Sequence, residues 1–387
     1  MTERVTNNAV FVLSLYDTGL ATSWILRKYQ INVLGFDYKK KQPGFSSNSM
    51  KTYLSPNPKT KHAEFIKLLI SKSRKFDLKP VLIPASDEYV RFVNDNRNIL
   101  KKFFLFLLPE YHITKIFMTK KEQLAFANRN GLNVPKFFII SKVDDLYANL
   151  DEIKFPLFIK PDDVSLWKKY YSEKGYEVNT EAELKSKVSM ITQNGLKCII
   201  QEIIPGDCTN NFEVSTFYDG SKFNGDVITI RKIRQYPLNY GFGCLVEKIQ
   251  NKEIESIATR FVKNSNIVGF NNTEFKYDNI TKKYYFIETN IRVWQQISIT
   301  EAMGNNFALK YYNYLTGNQI QTRKRSNKKH IKWIAPFYDL STSKWLIQNK
   351  KLSVVSWIKS LYGIKANGIF DIHDLKPFRD RFKTWLK

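Results

Sequence analysis

Residues 284–292 read YYFIETNIR. The aromatic lead-in predicts a β-strand over Tyr284–Asn290. Side chains on a strand alternate, so Glu288, Asn290 and Arg292 project from one face while Ile287, Thr289 and Ile291 project from the other. Two oxygen-bearing side chains and a guanidinium on one face make an unusual solvated edge. Upstream, Thr273–Tyr277 (TEFKY) reads as the preceding strand and carries Glu274, with Lys276 at the same parity. A hairpin turning over 279–282 brings Glu274 opposite or near Glu288. Like charges directly across a ladder are destabilising unless a cation lies between them. Two carboxylates and a carboxamide oxygen are hard ligands and suit Mg²⁺ bridging nucleotide phosphates. The alternative on the pattern alone is a surface hairpin with solvated acids.

Working outward, strands are expected at Pro156–Lys160 (PLFIK) and Cys198–Ile204 (CIIQEII), with a helix at Glu181–Gln193 between them. Lys160 ends its apolar strand and is fixed by Pro161, a place from which a long cation can reach into a cleft. A helix over Thr119–Asn130 ends at Gly131 as a C-cap glycine before the strand Phe137–Ile140, and Lys120 opens it. Further strands are expected at Phe212–Tyr218 and Val227–Arg234, an α+β pattern dominated by an antiparallel sheet. On the second of these, Arg231 and Arg234 have opposite parity, so on a regular strand one of them faces a cleft and can bind a substrate carboxylate. A solvated strand end is the competing reading.

The first hundred residues read differently. Strands Ala9–Leu15, Ile31–Phe36 and Pro80–Ile83 alternate with helices at Leu20–Tyr29, His62–Ser73 and Glu88–Leu100, which is an open α/β sheet. The turn YDTGLATS holds one glycine, so neither a dinucleotide fingerprint nor a P-loop is present. The apolar run Phe103–Leu108 (FFLFLL) is too short for a membrane span and reads as a buried strand. At the other end, Arg323–His330 (RKRSNKKH) reads as an exposed basic linker, followed by an aromatic, lysine-rich tail that is amphipathic around Trp357–Tyr362.

The chain has 387 residues, 43% hydrophobic and 14% aromatic, enough for a sizeable core. Three cysteines without a CxxC pair argue against a disulfide framework or a structural zinc site, and the cytoplasm is the default location. Sixty-one Lys and Arg against 36 Asp and Glu give a net charge of +25. Lysine and asparagine are abundant throughout, so a compositional bias and an anionic partner explain the charge equally well.

Read together and in order, KKEQLAFANRNGLNVP (120–135), FPLFIKP, IIQEIIPGD, NTEFKYD and FIETNIR resemble the ATP-grasp superfamily, and within it the D-aspartate ligase and predicted carboligase branch. LIPASDEYV, VSTFYDG and IRQYPLNYGFG fit the same resemblance, which covers about 10–320 well and the tail loosely. It implies an α/β domain at 1–112, two α+β lobes at 113–205 and 206–320 clamping ATP, and a basic aromatic extension at 321–387. It implies that Lys120 and Lys160 bind phosphates, that Gln201, Glu202, Ile203 and Ile204 meet the adenine, and that Asp207 holds the ribose. Glu274, Glu288 and Asn290 match metal ligands for Mg²⁺ or Mn²⁺, and Arg292 matches an arginine that steadies the transferred phosphoryl group. The segment after Lys160, PDDVSLWKKYYSEKG, departs from the glycine-rich loop common in the superfamily; Ser165, Lys168 and Lys169 are the candidates to cover the γ-phosphate.

The activity implied is ATP-dependent ligation of a carboxylate to an amine through an acyl phosphate, on an amino acid, peptide or cell-envelope precursor. An anionic polymer or a membrane surface is a further expected contact; nucleic acid is not. Two rivals stand beside this reading: a non-catalytic protein of the same fold that binds an anionic polymer or nucleic acid, and an ATP-grasp carboxylase.

Overall fold

The computed structural model describes residues 7–162, 164–223, 227–320 and 330–385, with the side chains of Val164 and Ser165 left out. All of Arg323–His330 except His330 lies outside the described residues. The chain divides into two compact units. The larger comprises Met1–Thr114, Phe212–Asn272 and Asn290–Lys387, and the smaller comprises Lys115–Asn211 and Thr273–Thr289.

The larger unit begins with β1 (Val10–Leu13), α1 (Asp17–Arg27), β2 (Val33–Asp37), β3 (Lys51–Leu54), α2 (His62–Ser73), β4 (Val81–Pro84) and α3 (Asp87–Asp95). The strands form a parallel sheet in the order β3-β2-β1-β4. Every residue of β1, β2 and β4 is buried, which is why these strands are continuously apolar rather than alternating. A Cβ at Gly19 would lie 1.9 Å from the Ser14 carbonyl oxygen, so only glycine lets the chain turn this closely from β1 into α1. Two expectations need correction here. FFLFLL makes no strand and contributes an isolated bridge, Leu105 beside Val81. The helix expected over Glu88–Leu100 is interrupted at Asn96, which sits between α3 and a single turn at Arg97–Leu100.

In the smaller unit, α4 (Lys120–Arg129) precedes β5 (Phe137–Ile140), β6 (Leu157–Pro161), β7 (Tyr176–Val178), α5 (Glu181–Gln193) and β8 (Cys198–Glu202). The Thr119 hydroxyl caps α4 by accepting from the Glu122 amide, and Gly131 closes it at φ +79°. The sheet runs β5-β8-β6-β7 with antiparallel pairing throughout. Its inner face carries Leu157, Ile159, Cys198 and Ile200 against Leu184 and Val188 of α5 and the indole of Trp167. Each such aliphatic side chain contributes about 1.5–3 kcal/mol by leaving water.

The chain then forms β9 (Asn211–Tyr218), β10 (Ile228–Tyr236), β11 (Phe242–Ile249), α6 (Lys252–Asn264), β12 (Gly269–Asp278) and β13 (Lys283–Asn290). Residues 273–289, with the hairpin turn at 279–282 where it was expected, belong to the smaller unit. The rest of the larger unit includes α7 (Phe307–Thr316), β14 (Lys332–Ile334), α8 (Pro336–Gln348), α9 (Val354–Ser360), β15 (Ile364–Asn367) and α10 (Lys376–Trp385). Strand β10 pairs antiparallel with β9 and β11, β11 with β14, and β14 runs parallel to β15. The tail is fastened to the first residues of the same unit. The buried Asp374 carboxylate accepts from the Trp24 indole at 2.8 Å, from the Ser47 hydroxyl and from the Asn48 amide. Arg381 donates to the buried Asp17 at 2.7 Å, partly offsetting the burial that pushes that carboxyl's pKa up.

The three cysteines are free, and burial pushes the Cys198 and Cys244 thiols up to about 12. No helix among the described residues is long and apolar enough to cross a membrane.

Candidate active site

The smaller unit brings four polar side chains together from four places in the sequence. Lys160 is the penultimate residue of β6, and its neighbour β8 pairs Phe158 with Gln201 and Lys160 with Ile199. Lys160 and Gln201 therefore share a face, opposite the apolar face packed on α5. The Lys160 ammonium donates to Gln201 Oε1 at 2.6 Å. Lys120, the first residue of α4, places its ammonium 2.5 Å from Glu288 Oε2 on β13. A lysine at a helix N-terminus faces the positive end of the helix dipole, an unfavourable place unless an anion is near.

The electrostatics show that the acid is not enough. Burial first, then the positive charge of Lys120, pull the Lys160 ammonium down to about 7, and Glu288 only partly opposes them. Two lysines, one of them at a helix N-terminus, thus meet the Glu288 carboxylate and the neutral amide of Gln201. Two lysines set this close, one at a helix N-terminus, suit a multiply charged anion such as a polyphosphate.

The hairpin is fixed from both sides. The hydroxyls of Thr273 and Thr289 lie 3.0 Å apart across it, and the rings of Tyr277 and Tyr284 lie 4.7 Å apart. Buried positions run Tyr284, Phe286, then Thr289 and Ile291, so the alternation slips by one residue at 287–288. Glu274 and Glu288 are both half-buried. Gln123 on α4 accepts from the Thr289 amide at 2.8 Å and so ties the helix of Lys120 to the strand of Glu288. Lys276 donates to the carbonyls of Gly206 and Asp207, holding the loop after β8 to the same hairpin. Gln123 was not singled out from the sequence, and Lys276 was named there only for its parity with Glu274. Their one signal was position, three residues after Lys120 and two after Glu274.

The segment 201–204 leads out of β8: Gln201 and Ile204 are buried, and the Glu202 amide donates to the Lys136 carbonyl at 2.8 Å. Asp207 Oδ1 accepts from both the amide and the hydroxyl of Thr209 at 2.7 Å. Lys168 and Lys169 are exposed, and the Ser165 side chain lies outside the described residues.

In the larger unit, Arg292 grips Asp87 with two hydrogen bonds of 2.6 and 3.1 Å and donates to Asn290 Oδ1 at 3.1 Å. A bulge between Lys232 and Arg234 breaks the regular alternation of β10. Arg231 pairs with Glu247 on β11. Arg234 is buried, its side chain 5% exposed, and forks onto Asp339, whose side chain is 1% exposed. Ser360 Oγ accepts from the same guanidinium, and the Trp357 indole donates to Asp339. Each expected carboxylate-binding arginine thus already faces an acid of the protein, and Arg234 has no open side from which to reach a substrate.

No three His, Cys, Asp or Glu side chains among the described residues cluster as a metal-binding group. Of the expected cation ligands, Glu274 and Glu288 lie in the smaller unit and offer oxygen donors of the kind Mg²⁺ takes when phosphate oxygens complete its shell, while Asn290 begins a segment of the larger unit.

A family model described as the carbamoyl-phosphate synthase L chain, ATP binding domain, matches residues 244–312. That stretch contains Glu274, Glu288, Asn290 and Arg292. Curated protein sequences give no match. Among solved structures, the L-amino acid ligase from Bacillus licheniformis is similar with a TM-score of 0.60 and 16% identity, over 80% of this chain and 75% of that one. The ADP complex of an N5-carboxyaminoimidazole ribonucleotide synthetase is similar with a TM-score of 0.63 and 13% identity, over 84% and 81%. The biotin carboxylase domain of Hydrogenobacter thermophilus 2-oxoglutarate carboxylase, solved with MgADP and bicarbonate, gives 0.58 and 13%, over 81% and 71%.

Proposed function

We propose that this chain, whose fold is that of the ATP-grasp superfamily, is an ATP- and Mg²⁺-dependent ligase joining a carboxylate to an amine. The observation that carries the reading is the pairing of Lys120 with Glu288 and of Lys160 with Gln201, close enough that Lys120 helps hold the Lys160 ammonium down to about 7. The similarity to an L-amino acid ligase supports the same class of reaction.

In this reading Lys120 and Lys160 hold the phosphates, 201–204 borders the adenine and Asp207 the ribose. Glu274, Glu288 and Asn290 hold Mg²⁺, which when bound offsets the negative charge of triphosphate and carboxylate as they approach. The substrate carboxylate oxygen bonds to the γ-phosphorus as the bond to the ADP oxygen breaks, giving an acyl phosphate. The amine nitrogen then bonds to the acyl carbon, phosphate leaves, and the nitrogen gives up a proton. Lys160 and Arg292 stabilise the charge that moves between these oxygens, so no covalent nucleophile from the protein is required. An amino acid, peptide or cell-envelope precursor supplies the carboxylate or amine. The four-part division at 112/113, 205/206 and 320/321 belongs to the same proposal.

Phosphate release from Mg-ATP, measured over a panel of amino acids, dipeptides, carboxylates and bicarbonate, tests this. Turnover that requires a carboxylate with an amine and disappears in Glu288→Ala is the expected result. Turnover with bicarbonate alone as the carboxylate would favour the carboxylase reading, prompted by the MgADP and bicarbonate complex among the similar structures. A protein that binds no nucleotide would be the non-catalytic rival.

A further inference from the structure

We infer that α9 and the turn after it form a docking surface for an anionic lipid bilayer. Val354, Val355, Ile358 and Tyr362 are all exposed, Val355 by 61% and Tyr362 by 76%. Val355 and Ile358 follow helical spacing and share a face of α9, and Tyr362 lies in the turn just after it. The opposite side is turned inward and is polar. Trp357 donates its indole N–H to Asp339 at 3.1 Å, and Ser360 accepts from Arg234 at 2.8 Å. The segment therefore inverts the ordinary amphipathic arrangement of a helix on a globular protein, holding on by polar groups and presenting aliphatic ones to the outside.

The charge around it selects the partner. Between Asp339 and Asp371 the chain contains Lys344, Lys350, Lys351, Lys359 and Lys365 and no acidic residue. All five lysines are exposed, and Lys359 lies on α9 itself. Trp345 is also exposed, with the Lys351 ammonium 5.2 Å from its ring centroid. A soluble polyanion would use the lysines and leave Val354, Val355 and Ile358 in water. A bilayer with anionic headgroups uses both: the lysines meet the headgroups, the aliphatic side chains enter the acyl boundary, and Trp345 and Tyr362 sit at headgroup level. With no described helix able to cross a membrane, the contact is interfacial. This inference does not rest on the catalytic reading, since α9 carries none of the residues assigned to it.

The test is co-sedimentation of the full chain, without nucleotide, with vesicles of phosphatidylcholine containing about one third phosphatidylglycerol, and with phosphatidylcholine alone. Binding to the mixed vesicles, and little to the neutral ones, is expected. Ile358→Glu should lower the partition coefficient at least about tenfold. Replacing Lys350 or Lys351 with Ala should lower it about fivefold each. The melting temperature should move by no more than about 2 °C in these surface variants. Failure to bind the mixed vesicles overturns the inference. So does equal binding to a polyphosphate that Ile358→Glu leaves unchanged, which would mark a charge-only surface. A dimer that Ile358→Glu dissociates would assign the patch to a second copy and overturn it as well.

Discussion

On β10, Arg234 meets Asp339 with two hydrogen bonds, and Ser360 and Trp357 fill further positions around the pair. On β6, Lys160 finds the neutral Gln201 and shares the neighbourhood of Glu288 with a second cation, Lys120. Both are cations on strands, brought to their partners by long-range folding. The first network closes on itself, charge against charge, and has no capacity left for a ligand. The second sets two lysines near each other, and burial together with Lys120 lowers the proton affinity of Lys160. Between these two groups, the Arg234–Asp339 network serves the fold and the lysine pair is the one placed to meet an ion from outside.

The largest effect is expected where the balanced pair is broken. Asp339→Ala leaves a buried guanidinium unpaired and should lower the free energy of unfolding by about 3–5 kcal/mol, read from urea denaturation. The double variant Arg234→Met with Asp339→Leu should regain most of that loss. A cost below about 1 kcal/mol for Asp339→Ala would put the pair in the class of weak surface bridges and undo the comparison.

The lysine pair should respond the other way. Lys160→Met is expected to reduce turnover about 10²–10³-fold while leaving thermal stability intact, because it removes a cation that burial disfavours. A melting temperature that collapses together with the activity would make Lys160 structural.

Proton uptake on nucleotide binding sharpens the same point. Near pH 8 the Lys160 amine of the free protein is largely neutral, since its pKa is about 7. A bound polyphosphate favours the charged form, so binding should take up close to one proton at about pH 8 and far less at about pH 6. Affinity accordingly weakens as pH rises through 7, because more of the free protein must first be protonated. Lys120→Ala removes a charge that lowers this pKa and should move the midpoint up; Glu288→Gln removes one that raises it and should move it down. Calorimetry in buffers of different ionisation enthalpy measures the uptake, and an uptake that ignores pH would contradict the assignment.

The smallest effect separates two caps. Thr119 and Thr180 each accept from the amide three residues on, at 3.4 and 3.2 Å, so alanine at either should cost about 1 kcal/mol of stability. Only Thr119→Ala, next to Lys120, should also weaken nucleotide binding.

Much of this was legible in the chain. Helices His62–Ser73 and Glu181–Gln193 and strand Phe137–Ile140 have the bounds read from their periodicity and caps, because local signals there agree with the tertiary environment. The turn at 279–282 was legible for the same reason. FFLFLL misled because an apolar run says that a segment is buried and not that it pairs; Leu105 makes one bridge and stops. Strand β11 and helix α6 were missed: Phe242–Ile249 reads as polar near its end, with Glu247 and Lys248, and takes its pairing from β10 and β14. Opposite parity for Arg231 and Arg234 assumed a regular strand, and the bulge removed that assumption. Asp339 as the partner of Arg234, 105 residues away, leaves no local trace at all.

The anchorage of Asp374 on Trp24, Ser47 and Asn48 has a consequence for how the protein is made. Trp24 and Asp374 are 350 residues apart. A ribosome adding residues at about 5–20 per second separates their appearance by roughly 20–70 s. Throughout that interval the indole of α1 and the serine beside β3 lack their final acceptor, and a nascent chain in this state offers a surface to chaperones. The amino-terminal sheet can pair its strands early, but Trp24, Ser47 and Asn48 reach their finished packing only when Asp374 has left the tunnel.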